Sequence, residues 1–155
     1  MVLTDTNILL RSIHPHHAHY AAAKSALNAL RLRNEALCVA PQNLVEFWAV
    51  ATRPRNENGL GLTTAQAANE LTAIQDFFRV LPYTREVTRA WQRIVTTQAI
   101  SGKQTHDAHL VAIMQVNSVR SILTFNKMIS SGIQESPCST PRSYRCGSLA
   151  SGLHG

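Results

Sequence analysis

Along the chain, short apolar runs alternate with longer stretches in which apolar residues return every three or four positions. The short runs fit strands and the longer ones amphipathic helices. Val2 and Leu3 begin the first run, Thr4 suits it through its β-branched side chain, and Asp5-Thr6-Asn7 ends it with residues that favour caps and turns. A helical turn from Asn7 to Arg11 follows. The next helix is predicted from about His19 to Arg33, with Ala22, Leu27, Leu30 and Leu32 inward. Ala36 to Ala40 reads as a second strand, and Pro41 suits the first position of a helix reaching from Gln42 to about Thr52. Arg53 to Gly61 has loop composition. Thr63 or Thr64 then caps a helix to about Phe78, which buries Ala68, Leu71, Ile74 and Phe77 or Phe78. Val80-Leu81-Pro82 is a short third strand. Helices follow from Glu86 to about Ile100, with Val87, Trp91, Ile94 and Val95 inward, and from about Thr105 to Val116. Ser121 to Asn126 is a fourth strand that ends, like the first, in a polar residue.

This alternation implies an α/β fold built on a parallel sheet with right-handed crossovers. Ligands in such sheets bind outside the carboxyl ends of the strands, so Asp5 and Asn126 are expected to share one edge. From Gln134 onward turn formers dominate and no alternating apolar face exists, so 134–155 is expected to be an atypical, disordered tail. The C-terminal edge strand is correspondingly expected to be lost or altered. A chain of 155 residues, 45% of them hydrophobic, fits one domain with a buried core, here residues 1–133. No charged start leads into an apolar core, and Glu46 and His109 break the longer apolar runs, so a cytoplasmic protein is expected. Cys38, Cys138 and Cys146 form no Cys-x-x-Cys unit and are expected to be free thiols.

Charge narrows the chemistry. Fifteen Lys and Arg against nine Asp and Glu give +6 and a pI near 9.8, which suits an anionic partner and equally suits an ordinary solvated surface. Where acid is scarce, a carboxylate among apolar neighbours carries more information. Glu46 lies amid Leu44, Val45, Phe47, Trp48 and Val50, a costly place unless the charge is paired, hydrogen-bonded or bound to a cation. The alternative puts it outward on a polar stripe with Gln42 and Arg53. Asp107 stands in the first turn of its helix, where the dipole favours it, beside the apolar Leu110, Val111 and Met114. Asp5 either caps the turn that follows it or serves a site at the strand's end. His14, His16, His17 and His19, grouped around Pro15, lack the spacing of helical metal ligands and read as an exposed lead-in to a helix. Arg85, Arg89 and Arg93 recur every four residues, as on a solvated face or along a nucleic-acid backbone.

Thr4-Asp5-Thr6-Asn7, Glu46 in Asn43-Leu44-Val45-Glu46-Phe47, His106-Asp107-Ala108 and Leu123-Thr124-Phe125-Asn126 follow one another in a recognisable order. The pattern resembles the PIN domain and, within it, the VapC-like ribonuclease toxins of bacterial toxin–antitoxin pairs, over roughly residues 1–133. The resemblance implies a PIN-like three-layer α/β/α sandwich with a short parallel sheet, and an endoribonuclease dependent on Mg²⁺ or Mn²⁺. It implies that Asp5, Glu46 and Asp107 gather around the ion, that Asn126 and Thr124 stand at the fourth motif, and that Thr6 and Asn7 steady the first acid. Lys103 and His106 match a Gly-Lys-x-x-His-Asp-Ala run of some members and are expected to be supporting. RNA, a cognate antitoxin and a second copy of the chain are the implied partners. Elementary chemistry agrees, because clustered carboxylates repel and raise one another's pKa unless a hard divalent cation, which prefers oxygen ligands, neutralises them. Such an ion polarises a phosphoryl oxygen and lowers the pKa of a bound water.

The chain departs from the pattern after Asn126, where Ile129 and Ser130 occupy positions at which many members carry Asp and Phe. Three formal carboxylates remain instead of four. The alternative function is therefore a catalytically impaired PIN remnant that binds antitoxin or RNA without cleavage. A nucleotide-binding doubly wound domain fits poorly, since no Gly-rich loop follows the first strand.

Overall fold

A computed structural model describes residues 1–126 and the backbone of a short strand at 142–145. In chain order the elements are β1 (Val2–Thr4), α1 (Thr6–Ser12), α2 (Tyr20–Leu32), β2 (Leu37–Val39), α3 (Pro41–Thr52), a 3-10 turn (Arg55–Glu57), α4 (Thr64–Phe77), β3 (Arg79–Val80), α5 (Arg85–Thr97), α6 (Gln104–Val116), β4 (Ser121–Thr124) and β5 (Arg142–Arg145). All strand pairs are parallel, in the order β3-β2-β1-β4-β5. The chain builds outward from β1 on one side and then crosses to β4 on the other, so strand order reverses between β1 and β4. There Val2 pairs with Ser121 and Thr4 with Leu123, and the Asp5 N–H donates to the Leu123 carbonyl at 3.0 Å.

β1 and β2 are buried on both faces, as is β4 beyond Ser121, which is what a sheet covered by helices on two sides requires. Val2, Leu37, Val39 and Leu123 pack with Ile8, Leu30, Phe47 and Ile74 from α1 to α4. Leu3, Cys38 and Ile122 face the other way, onto Val87, Ala90 and Ile94 of α5 and Ala108 to Met114 of α6. The result is the expected three-layer α/β/α sandwich. Cys38 is fully buried at the sheet's centre, its thiol donating weakly to the Val2 carbonyl at 3.4 Å. Burial pushes that thiol up to about 11.

Several expectations shift. In α2 the buried residues are Ala23, Ala26, Leu27, Ala29 and Leu30, while Leu32 is 78% exposed. At about 100° per residue Leu32 lies nearly opposite Leu30, so the two cannot share a buried face. In α4 the inward alanine is Ala67, not Ala68, and Phe78 is buried while Phe77 is exposed. Thr63 is the cap, accepting from the Gln66 N–H at 3.2 Å while the Gln66 side chain accepts from the Thr63 N–H at 2.9 Å. The third strand is Arg79–Val80, without Pro82, and α5 stops at Thr97, short of Ile100.

The edge strand, expected to be lost or altered, is present as β5 with the polar sequence Arg142-Ser143-Tyr144-Arg145. The backbone of β5 pairs with β4 along its whole length, from Ser121 beside Arg142 to Thr124 beside Arg145. The β5 sequence has no apolar alternation, so the period-two signal of a strand is missing. Ile129, Ser130, and the expected tail apart from β5, lie outside the described residues. Among the described residues no helix is long and apolar enough to cross a membrane.

Phe47 is fully buried, and Phe47→Ala is expected to cost about 3–5 kcal/mol of stability. Leu32→Ala should change it by no more than about 0.5 kcal/mol. Urea denaturation followed by circular dichroism compares the two, and a large loss at Leu32 would contradict the packing described here.

Candidate active site

The crevice where strand order reverses is lined by acids from three separate elements. Asp5 comes from the turn after β1, Glu46 from the middle of α3 and Asp107 from the first turn of α6, with Asn126 just beyond β4. Together with Thr6, Asn7, His106 and the apolar Leu10, Val50 and Leu110, they border a cavity of about 340 Å³. Two side chains fix Asp5 in place. Thr124 Oγ1 donates to Asp5 Oδ2 at 2.5 Å and Asn7 Nδ2 donates to the same oxygen at 2.6 Å. Asn7 Nδ2 also reaches Thr124 Oγ1 at 3.1 Å, and its Oδ1 accepts from the Phe125 N–H at 3.2 Å. The Asn126 N–H donates to Thr124 Oγ1 at 2.9 Å, which ties the fourth motif to the first. Asp5 stands at the N-cap position of α1, yet its side chain makes no capping bond to that helix. Its carboxylate is used across the crevice instead.

Glu46 is held at both oxygens. Thr6 Oγ1 donates to Oε2 at 2.7 Å, and Gln42 Nε2, one turn earlier on α3, donates to Oε1 at 2.7 Å. The fully buried Asn43 continues the line, donating to Thr6 Oγ1 at 3.1 Å while its Oδ1 accepts from the Ala40 N–H at 2.9 Å. On the far side, Gln42 Oε1 meets His109 Nδ1 in a short contact, and His109 Nε2 lies 3.2 Å from the Tyr83 hydroxyl. A carboxylate only accepts, so Glu46 sets the Gln42 amide and the amide oxygen takes a proton from His109 Nδ1, while the Tyr83 hydroxyl pairs with Nε2. Burial and His106 lower the imidazole's pKa, against the pull of Glu46, and so favour the neutral ring.

The sequence model of the PIN domain family matches residues 2–131. The chain belongs to the PIN domain family. Solved structures share the fold: VapBC2 of Rickettsia felis bound to a promoter DNA fragment is 16% identical at a TM-score of 0.64, covering 94% of this chain and 98% of that one. VapC20 of Mycobacterium tuberculosis, a sarcin-ricin loop cleaving toxin, is 20% identical at 0.60, covering 84% and 94%. A toxin–antitoxin complex from Klebsiella pneumoniae is 16% identical at 0.57, covering 86% and 92%. Comparison with curated proteins finds no match.

In this PIN domain the acids disturb one another. Asp5 is 7% exposed, and its carboxyl is pushed above the usual range first by burial, then by Glu46 and Asp107, against the lowering effect of Thr124 and the Thr6 amide. Asp107 shifts the same way through burial and Glu46, with His106 opposing. Among the described residues no group of three or more His, Cys, Asp or Glu side chains is arranged to hold a metal ion. The donor set nevertheless fits a hard divalent cation, because it is all oxygen and mutually repelling, and because Mg²⁺ keeps several waters beside one or two carboxylates.

The structure brings Asp5, Glu46, Asp107, Asn126, Thr6, Asn7 and His106 to one cavity, with Thr124 bonded to Asp5 behind it. Lys103 is exposed at the N-cap of α6 and borders no part of that cavity. The polar stripe of Glu46 with Gln42 is real, but it points into the crevice and excludes Arg53, which is exposed beyond the end of α3. The histidine lead-in is a stack rather than a ligand set, His17 lying 5.7 Å from His14 and 5.4 Å from His19, ring centre to ring centre, and His19 4.9 Å from Phe125. Gln42, Asn43, His109 and Tyr83 escape the motif reading. For Gln42 the four-residue step back from Glu46 was a usable signal.

The raised Asp5 carboxyl gives a pH dependence of definite sign. Unfolded, it titrates near 3.8; folded, it binds its proton more tightly, so the charge opposes folding at neutral pH and this penalty fades as pH falls through the raised value. Without divalent ions, Asp5→Asn is expected to raise the thermal unfolding midpoint at neutral pH, with the gain shrinking toward the unfolded pKa. A variant less stable than the parent at neutral pH would contradict the electrostatic account.

Proposed function

We propose that this chain is a Mg²⁺- or Mn²⁺-dependent endoribonuclease, the toxin of a toxin–antitoxin pair, acting in the cytoplasm where its RNA is found. The observation that carries the proposal is the convergence of Asp5, Glu46, Asp107 and Asn126 on one cavity at the carboxyl edge of the sheet. Asp5, Glu46 and Asp107 are the residues that would hold the metal, which when bound would supply Lewis acidity and a water of lowered pKa for phosphodiester hydrolysis. The chain's own work is positioning. Thr124 and Asn7 hold the Asp5 carboxylate and Thr6 and Gln42 hold that of Glu46, so neither rotates away from its neighbours when charge enters the site. Asn126 adds a neutral polar group at the fourth corner, and His106 tempers the charge of Asp107. Leu10, Val50 and Leu110 limit water at the rim. Lys103, exposed and apart from the acids, is suited to an RNA phosphate.

The partners belong to the same proposal. A cognate antitoxin is the expected protein partner, supported by likeness to a chain from a structure described as a toxin–antitoxin complex, and a second copy of the chain is proposed beside it. A remnant that binds antitoxin or RNA without cutting is the second reading, favoured by the absence of a ready-made metal cage among the described residues.

RNA cleavage by the purified chain in Mg²⁺ or Mn²⁺ separates the two. Cleavage should disappear in EDTA and fall by about 100-fold or more in Asp5→Asn, Glu46→Gln and Asp107→Asn, while Thr124→Val, which loosens Asp5, should lose about 10- to 100-fold. Cleavage that persists in EDTA or in Asp5→Asn rules out the metal-dependent enzyme, and RNA binding without cleavage under all conditions favours the remnant.

A further inference from the structure

Beside the acid cavity lies a second hollow of about 360 Å³, and the two share Gln42 and His106 as a common wall. Its remaining sides are largely aromatic. The Tyr83 and His109 rings are 5.4 Å apart and tilted by 42°, and the Trp91 ring stands at 86° to His109 at 6.2 Å. Every ring is already fixed by a hydrogen bond that does not use its face. Trp91 Nε1 donates to the Thr105 carbonyl at 3.1 Å, His109 Nδ1 meets Gln42, and the Tyr83 hydroxyl lies 3.2 Å from both His109 Nε2 and Thr88 Oγ1. Tyr83 is 49% exposed, so the hollow opens to solvent on the side of α5.

We propose that this hollow receives one unpaired base of the RNA, next to the phosphate held at the acid cavity, and that Tyr83 and Trp91 are its stacking surfaces. The inference rests on the ribonuclease reading and adds to it a place for a base. Two physical arguments support it. The acid cavity repels a phosphate until a cation intervenes, so the substrate needs binding energy that does not depend on charge, and stacking on an aromatic ring supplies it for any base. The rings are preorganised, so little side-chain freedom is lost on binding. The shared wall of Gln42 and His106 makes the hollow continuous with the acids, as a nucleotide adjoining the scissile phosphate requires. The hydroxyl of Thr88 lies where a base edge can bond.

Short single-stranded ribo-oligonucleotides titrated onto the full chain in EDTA, followed by tryptophan fluorescence and by anisotropy of an end-labelled RNA, test this without requiring turnover. Tryptophan emission should be quenched on binding. Tyr83→Ala should weaken binding by about 10-fold, whereas Tyr83→Phe, which keeps the ring, should stay near the parent. An oligonucleotide made abasic at one position should lose about as much with the parent, and the two losses should not add when combined. Equal affinities of parent and Tyr83→Ala for RNA, or additive losses, overturn the proposal. So does a Tyr83→Ala defect confined to binding of a partner protein, which assigns the hollow to that protein instead. Absence of cleavage in Mg²⁺ with the base-dependent binding intact removes the nuclease reading and upholds the base site.

Discussion

The architecture turns on one buried carboxylate. Asp5 ends the central strand, is almost closed off from water, and meets a hydroxyl and an amide that both donate to the same oxygen. A desolvated charge is tolerated only when such donors offset the lost hydration. Those donors come from the far end of the sequence in one case and from the following turn in the other, so β1 and β4 must be neighbours, in register, before the carboxylate is satisfied. The pairing of Thr4 with Leu123 delivers that register. The reversal of strand order is thus both a topological feature and the condition under which the first acid is held.

The second acid shows the same economy of means by a different route. Glu46 sits on a helix whose buried face carries Asn43, Phe47 and Ala51, and it reaches the crevice because Gln42 and Thr6 each hold one of its oxygens. Gln42 then serves two masters, bonding an acid on one side and an imidazole on the other. Through this amide the acid cavity and the aromatic hollow are mechanically joined, and a change of side-chain position in either is felt by the other. Asp107 stands apart from these clamps, its carboxyl pushed above the usual range by burial and by Glu46.

How far could this be read beforehand? Asp5, Glu46 and Asp107 were legible because each interrupts an apolar setting in a chain poor in acid, and because a strand that stops at a polar residue marks the binding edge of a parallel sheet. The layer order followed from the alternation of periods. Asn43 and His109 were not legible, since their importance arises from bonds between α3, α6 and the turn after β1 that no local pattern encodes. Leu32 and Phe77 misled because apolar identity does not say which side of a helix a residue occupies. β5 was invisible because its sequence carries no apolar alternation.

Cys38 carries a quieter implication. Its sulfur is enclosed between β1 and β2, bonded to the Val2 carbonyl and protonated far above neutrality. Oxidants and alkylating agents attack thiolates, and this group presents neither the anion nor an approach. At this position the folded core is indifferent to redox conditions, and covalent labelling there would register separation of the two central strands, a built-in clock for how often the sheet comes apart.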